Sequence, residues 1–209
     1  MPPDDDNVIP FPGAGAQPQL GDAVEPERAL TIVMAELRGW SDIVERIGEQ
    51  PAQRSLASAI DRVLDVLGQR GATNITVEGG ANQPTVAAAF EGPNGPIRGL
   101  DAAVAIRRAV SRAQSPAPPE HQFRVGTGVD AGEVVASQTP DGVPFDAVGT
   151  IRMCAAKLKD FAGPGQIFFS ETIFARTDHL ATAQSLGAVR VNPHGETQDA
   201  YSLTDLRTS

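Results

Sequence analysis

The stretch VGTIRMCAAKLKDFAGPGQIFFSE, Val148–Glu171, changes period halfway along. Ile151, Cys154, Ala155 and Leu158 recur at i, i+3, i+4 and i+7, the spacing of one helix face. This predicts a helix following Gly149. Gly163, Pro164 and Gly165 end it, and GQIFFS then reads as a buried strand. Ser170 is placed to cap a short helix, with Glu171 and Thr172 in its first turn. A helix that turns directly into a short apolar strand is the signature of a layered helix-and-sheet fold.

Working toward the N-terminus, the same two periods alternate. ALTIVMA (Ala29–Ala35) reads as a buried strand. From Trp40, Ile43, Val44 and Ile47 follow helical spacing. A second helix carries Leu56, Ala59, Ile60, Val63, Leu64 and Leu67. TNITVE and TVAAAF are two strands around the turn-rich GGANQP (Gly79–Pro84), a hairpin. A third helix is expected over about Leu100–Ala113, with SPAPPE as a loop. FRVGTGVDAGEVVAS is expected to form two strands with a tight turn near Asp130–Gly132. Beyond Glu171, two strands are expected near Ala188–Val191 and Asp199–Leu203. The order βααββαβ implies an α+β, ferredoxin-like architecture: an antiparallel-rich sheet with helices packed on one face.

The chain has 209 residues, 41% hydrophobic and 21% charged, in the range of a globular domain. Residues 29–206 are read as that domain. Met1 to about Arg28 form a separate zone with six prolines, three glycines, six acids and one base. Little apolar burial is on offer there to offset ordering, so it is expected to be a disordered acidic tail. Lysine plus arginine total 17 against 26 acids, a net charge of −9. That balance disfavours nucleic acid and anionic membrane surfaces as partners. A single cysteine, Cys154, fits a reducing compartment. No signal-peptide or membrane-span pattern occurs, and a cytoplasmic location is expected. His121, His179 and His194 are scattered and give no zinc spacing.

Four segments carry a likeness. LTIVMAELRGWSDIVERIG, FRVGTGVDAGEVVAS, the opening stretch, and LGAVRVNPHGETQDAYSL resemble, in that order, the class III adenylate/guanylate (nucleotidyl) cyclase catalytic domain. The resemblance implies a reaction in which the ribose 3′-hydroxyl of ATP or GTP attacks the α-phosphorus and pyrophosphate leaves. Two divalent ions on paired aspartates assist it, and the site is shared across a dimer.

Carried over by position, the first metal residue falls on Glu36, one methylene longer than aspartate. The plain alternative is a strand-end acid paired with Arg38. The second metal position falls on Gly80 or Pro84, depending on how a short insertion within Gly79–Pro84 is placed. Neither offers a ligand oxygen, and Glu78 and Asn82 lie nearby. The base-reading lysine position falls on Thr76 or Gly80, and the chain has no lysine before Lys157. On the helix of the opening stretch, Thr150 falls on a nucleotide-binding position. Met153 and Lys157 fall on the transition-state positions, where a thioether cannot donate a hydrogen bond and an ammonium replaces a two-pronged guanidinium. Lys157 also remains a nucleotide-phosphate candidate.

Each lost donor costs on the order of 3 kcal/mol of transition-state stabilisation. The expectation is therefore a degenerate, inactive cyclase-like protein acting in signalling as a homodimer or heterodimer, with Trp40 and Met153 adding apolar area to the seam. No cofactor is expected, with magnesium or manganese needed only if cyclase activity remains. Two alternatives stay open: a metal-independent sensor of purine nucleotides, and a divergent adenylate cyclase that makes cyclic AMP from ATP.

Overall fold

The computed structural model describes residues 28–114, 117–134, 145–191 and 195–207; for 145–148 only the backbone is described. The acidic segment expected to be disordered lies, apart from Arg28, outside the described residues.

The chain runs β1 (Arg28–Arg38), α1 (Trp40–Ile47), α2 (Glu49–Gln69), β2 (Thr73–Gly80), β3 (Gln83–Glu91), α3 (Gly95–Ala113), β4 (Arg124–Val134), α4 (Phe145–Phe161), β5 (Ile167–Ser170), α5 (Glu171–Thr177), β6 (Ala181–Arg190) and β7 (Thr197–Leu206). The strands form one sheet in the order β2-β3-β1-β4-β5-β7-β6. Neighbours are antiparallel except β4 and β5, which run parallel.

β1 is a near-continuous apolar run because both its faces are covered. Side chains alternate along a strand. Val33, Ala35 and Leu37 join a core with Leu56, Val63 and Leu67 of α2 and Leu100 and Ile106 of α3. Leu30, Ile32 and Met34 point the other way, into a second cluster with Ile151 and Ala155 of α4. Glu36 is next on that second face. The helices thus cover both faces of the sheet, not one, with α4 alone among the described helices in the Met34 cluster.

Several boundaries differ from the sequence expectation, among them β6, which begins at Ala181 rather than near Ala188. Arg124–Val134 is one strand with no turn at Asp130–Gly132. β4 sits between β1 and β5, so backbone pairing on both sides holds glycine-rich sequence extended. α3 begins at Gly95, with Pro96 in its first turn where a missing N–H costs nothing. α4 begins at Phe145 and runs through Gly149. Trp40 is half-buried against the first core and stacks on Phe123 at a ring distance of 6.4 Å, so part of its apolar area is taken up in the packing of this chain. Among the described residues, no helix is long and apolar enough to cross a membrane.

Candidate functional site

The β1–α1 junction turns on Gly39, whose φ of 106° is strained for any residue with a Cβ. This sharp turn leaves Glu36 at the end of β1, opposite Thr85 of β3 and beside the C-terminal half of α4. Glu36 is only 5% exposed. Its Oε1 accepts from Arg38 Nε at 2.7 Å and from Gln83 Nε2 at 2.6 Å. Its Oε2 accepts from Lys159 Nζ at 2.5 Å. Burial opposes ionisation, but the hydrogen bonds from Lys159, Gln83 and Arg38 outweigh it, and the carboxyl is held below its ordinary range. Lys159 is likewise desolvated, yet Asp160 and Glu36 keep its ammonium charged more firmly than usual.

Lys159 was not singled out by sequence reasoning. The signal was present: Ala155, Lys159 and Ala162 continue the sheet-facing stripe of α4 at i, i+4 and i+7. A lysine on such a stripe requires an acid opposite it. The close approach that brings α4 down comes from Gly128 of β4. A Cβ there would overlap the Ala155 carbonyl oxygen and the Lys159 nitrogen.

The hairpin supplies an amide where the resemblance implies a carboxylate. Gln83 opens β3 and reaches Glu36, while Pro84 is buried in β3 and Gly80 lies opposite Gln83. Glu78 turns to Arg152 of α4 in an ion pair and does not join Glu36. Asn82 lines, with Arg38, Gly39, Trp40, Ser41, Asp42 and Gln83, an open groove of about 280 Å³. Thr150, Met153 and Lys157 share the outer stripe of α4. All three are exposed, Met153 to 39%. None of them reaches the Glu36 cluster.

These residues do not fit the divalent ions that the resemblance implies. Glu36 is the buried carboxylate at the place, both its oxygens are engaged, and at Oε2 stands an ammonium that also pairs with the half-exposed Asp160 of α4. A doubly charged ion at that oxygen would meet the Lys159 charge at close range in a largely buried setting, where repulsion is strong. Among the described residues, no group of three or more histidine, cysteine or carboxylate side chains converges as a metal site.

A second polar cluster lies under α4. Asp130 of β4 is 4% exposed, and its Oδ1 has no hydrogen-bond partner among the described residues. Burial pushes its carboxyl up, against hydrogen bonds from Ser170, the Ala131 backbone and Cys154. The Cys154 thiol lies 3.0 Å from Gln198 Oε1 and is pushed far up by burial and by Asp130. Such a thiol is unreactive.

No protein-family model and no curated protein matches the chain. Solved structures do. The adenylyl cyclase CyaB from P. aeruginosa superposes with a TM-score of 0.68 at 14% identity, over 87% of this chain and 96% of that one. An adenylate/guanylate cyclase/hydrolase from Silicibacter pomeroyi gives 0.63 at 20% identity, over 85% and 98%. The guanylate cyclase domain of RhGC from Catenaria anguillulae, in complex with GTP, gives 0.63 at 16% identity, over 86% and 98%. Identities this low speak to architecture and not to chemistry: the chain has the fold of class III nucleotidyl cyclase catalytic domains.

Proposed function

We propose that this protein is a cyclase-fold module that does not cyclise nucleotides and works in cytoplasmic signalling by association, with a second copy of itself or with another cyclase-fold chain. The observation that carries this reading is the engagement of Glu36. The one acid at the family's metal position is spent on Arg38, Gln83 and Lys159. Pro84 or Gly80 at the second position adds no ligand, and Met153 adds no donor at the ribose position. A cyclase dimer builds each site from both chains, so pairing with a copy of itself brings the same gaps together.

The test has two arms. With manganese and either ATP or GTP, the purified chain is expected to yield no cyclic nucleotide above background. Cyclic AMP formation that disappears in Glu36→Ala would instead establish a divergent adenylate cyclase. Sedimentation at roughly tens of micromolar, where a modest interface associates, is expected to give a dimer. A monomer alone and with candidate cyclase chains would overturn the association reading.

A second reading has its own support. Thr150 and Lys157 stand exposed on one stripe of α4, with a hydroxyl and an ammonium available to a purine nucleotide without metal. Calorimetry with ATP, GTP and their cyclic products decides it: no heat at millimolar ligand removes it.

A further inference from the structure

Lys159 does more than neutralise one acid. Its Nζ lies 2.5 Å from Glu36 Oε2 and 2.8 Å from Asp160 Oδ1. One positive charge is therefore held between two carboxylates, one from β1 and one from α4. Arg38 completes the cluster from the other side. Its Nε meets Glu36, and its two terminal nitrogens donate to the carbonyls of Lys159 and Ala162, where α4 ends. Those carbonyls have no partner within the helix and carry its negative end. Glu36 and Asp160 contribute two negative charges; Lys159 and Arg38 contribute two positive ones. The cluster is neutral with no ion from solution.

The geometry points to Lys159 as a built-in cation: we infer that its ammonium takes the place of a bound cation at this point in the fold, tying α4 to β1 through Glu36, with Asp160 beside it on α4. An ammonium suits the place better than a divalent ion. It carries three donors and accepts any loose arrangement of oxygens, whereas magnesium demands a near-octahedral shell of oxygen ligands. Its stem is tethered to α4, so no ion must be recruited. Without the ammonium, two carboxylates would face each other with only Arg38 to compensate. That arrangement is one a hard divalent cation relieves. The inference rests on the same account of Glu36 as the proposed function. Its test reads stability and cation binding, never turnover or association, so the two can fail separately.

Thermal unfolding of the full chain, in EDTA and in millimolar manganese chloride, is the measurement, with bound manganese read by electron paramagnetic resonance. The wild-type chain is expected to melt at the same temperature in both and to bind no manganese. Lys159→Ala is expected to melt about 5–10 °C lower in EDTA, to regain part of that loss in manganese, and to show bound metal. Adding Glu36→Gln to that variant is expected to abolish the regain. Lys159→Gln, which keeps a long stem without the charge, is read by the same criteria if the alanine variant does not fold. Three results overturn the inference: manganese stabilising the wild-type chain in a Glu36-dependent way, a charge-free variant melting like wild type in EDTA, or a destabilised variant with no response to manganese.

Discussion

Glu36 and Asp130 are two buried acids facing α4, and their surroundings drive them in opposite directions. Glu36 is surrounded by donors and sits below its ordinary value of 4.5. Its ionised form favours the folded state. That contribution is full above pH 4.5 and is lost as pH falls through the lowered folded value. Chemical unfolding across the acid range is expected to show this loss, and Glu36→Gln is expected to flatten it. Asp130 is held above its ordinary value of 3.8 by burial. Its proton favours the folded state, so the contribution is full below pH 3.8 and fades as pH rises through the raised folded value. Asp130→Asn removes the charge and keeps the shape. It is expected to raise the melting temperature at neutral pH and to give no gain below pH 3.8; a loss at pH 7 would show that the carboxylate form is the one the fold holds.

At the scale of elements, the seating of α4 on β4 decides what Lys159 can reach. Gly128 sets that distance, since a methyl group there would overlap the helix backbone rather than a flexible side chain. Backbone overlap is relieved only by moving α4. Gly128→Ala is therefore expected to cost at least about 3 kcal/mol in equilibrium unfolding, with the Glu36–Lys159 pair lost in the same variant. Ser170 ends β5 and caps α5, its hydroxyl accepting from Ile173 N. α5 was legible from that cap, and α4 from its apolar stripe. β4 was not. Its glycines suggested a turn, but they serve the close packing of α4, which no local pattern reveals.

For the whole molecule, α4 buries one stripe on the sheet and leaves Thr150, Met153 and Lys157 outside. Val77 of β2, 50% exposed, is another apolar side chain left uncovered, and Arg152 of α4 pairs with the adjacent Glu78. If α4 lies at the seam of the proposed dimer, a charge at Met153 acts there and not in the core. Met153→Glu is expected to weaken self-association by at least about tenfold while shifting the melting temperature of the isolated chain by no more than about 1 °C. Sedimentation and thermal unfolding on one sample check both.

The sequence by itself determined the alternation of helices and strands, the βααββαβ order, the lack of an oxygen-bearing side chain at either Gly80 or Pro84, and the lack of a hydrogen-bond donor at Met153. These follow from periodicity and residue type, which are local. Lys159 continues the sheet-facing stripe of α4, a placement that went unread in the sequence because only the acid opposite gives it meaning. Tertiary structure alone decided that this acid is Glu36, 123 residues away, that Gln83 and Arg38 share it, and that α4 covers the second face of the sheet. A side chain's period states which way it points. What it meets there is fixed by strand register and by how closely two backbones approach, and both are properties of the assembled fold.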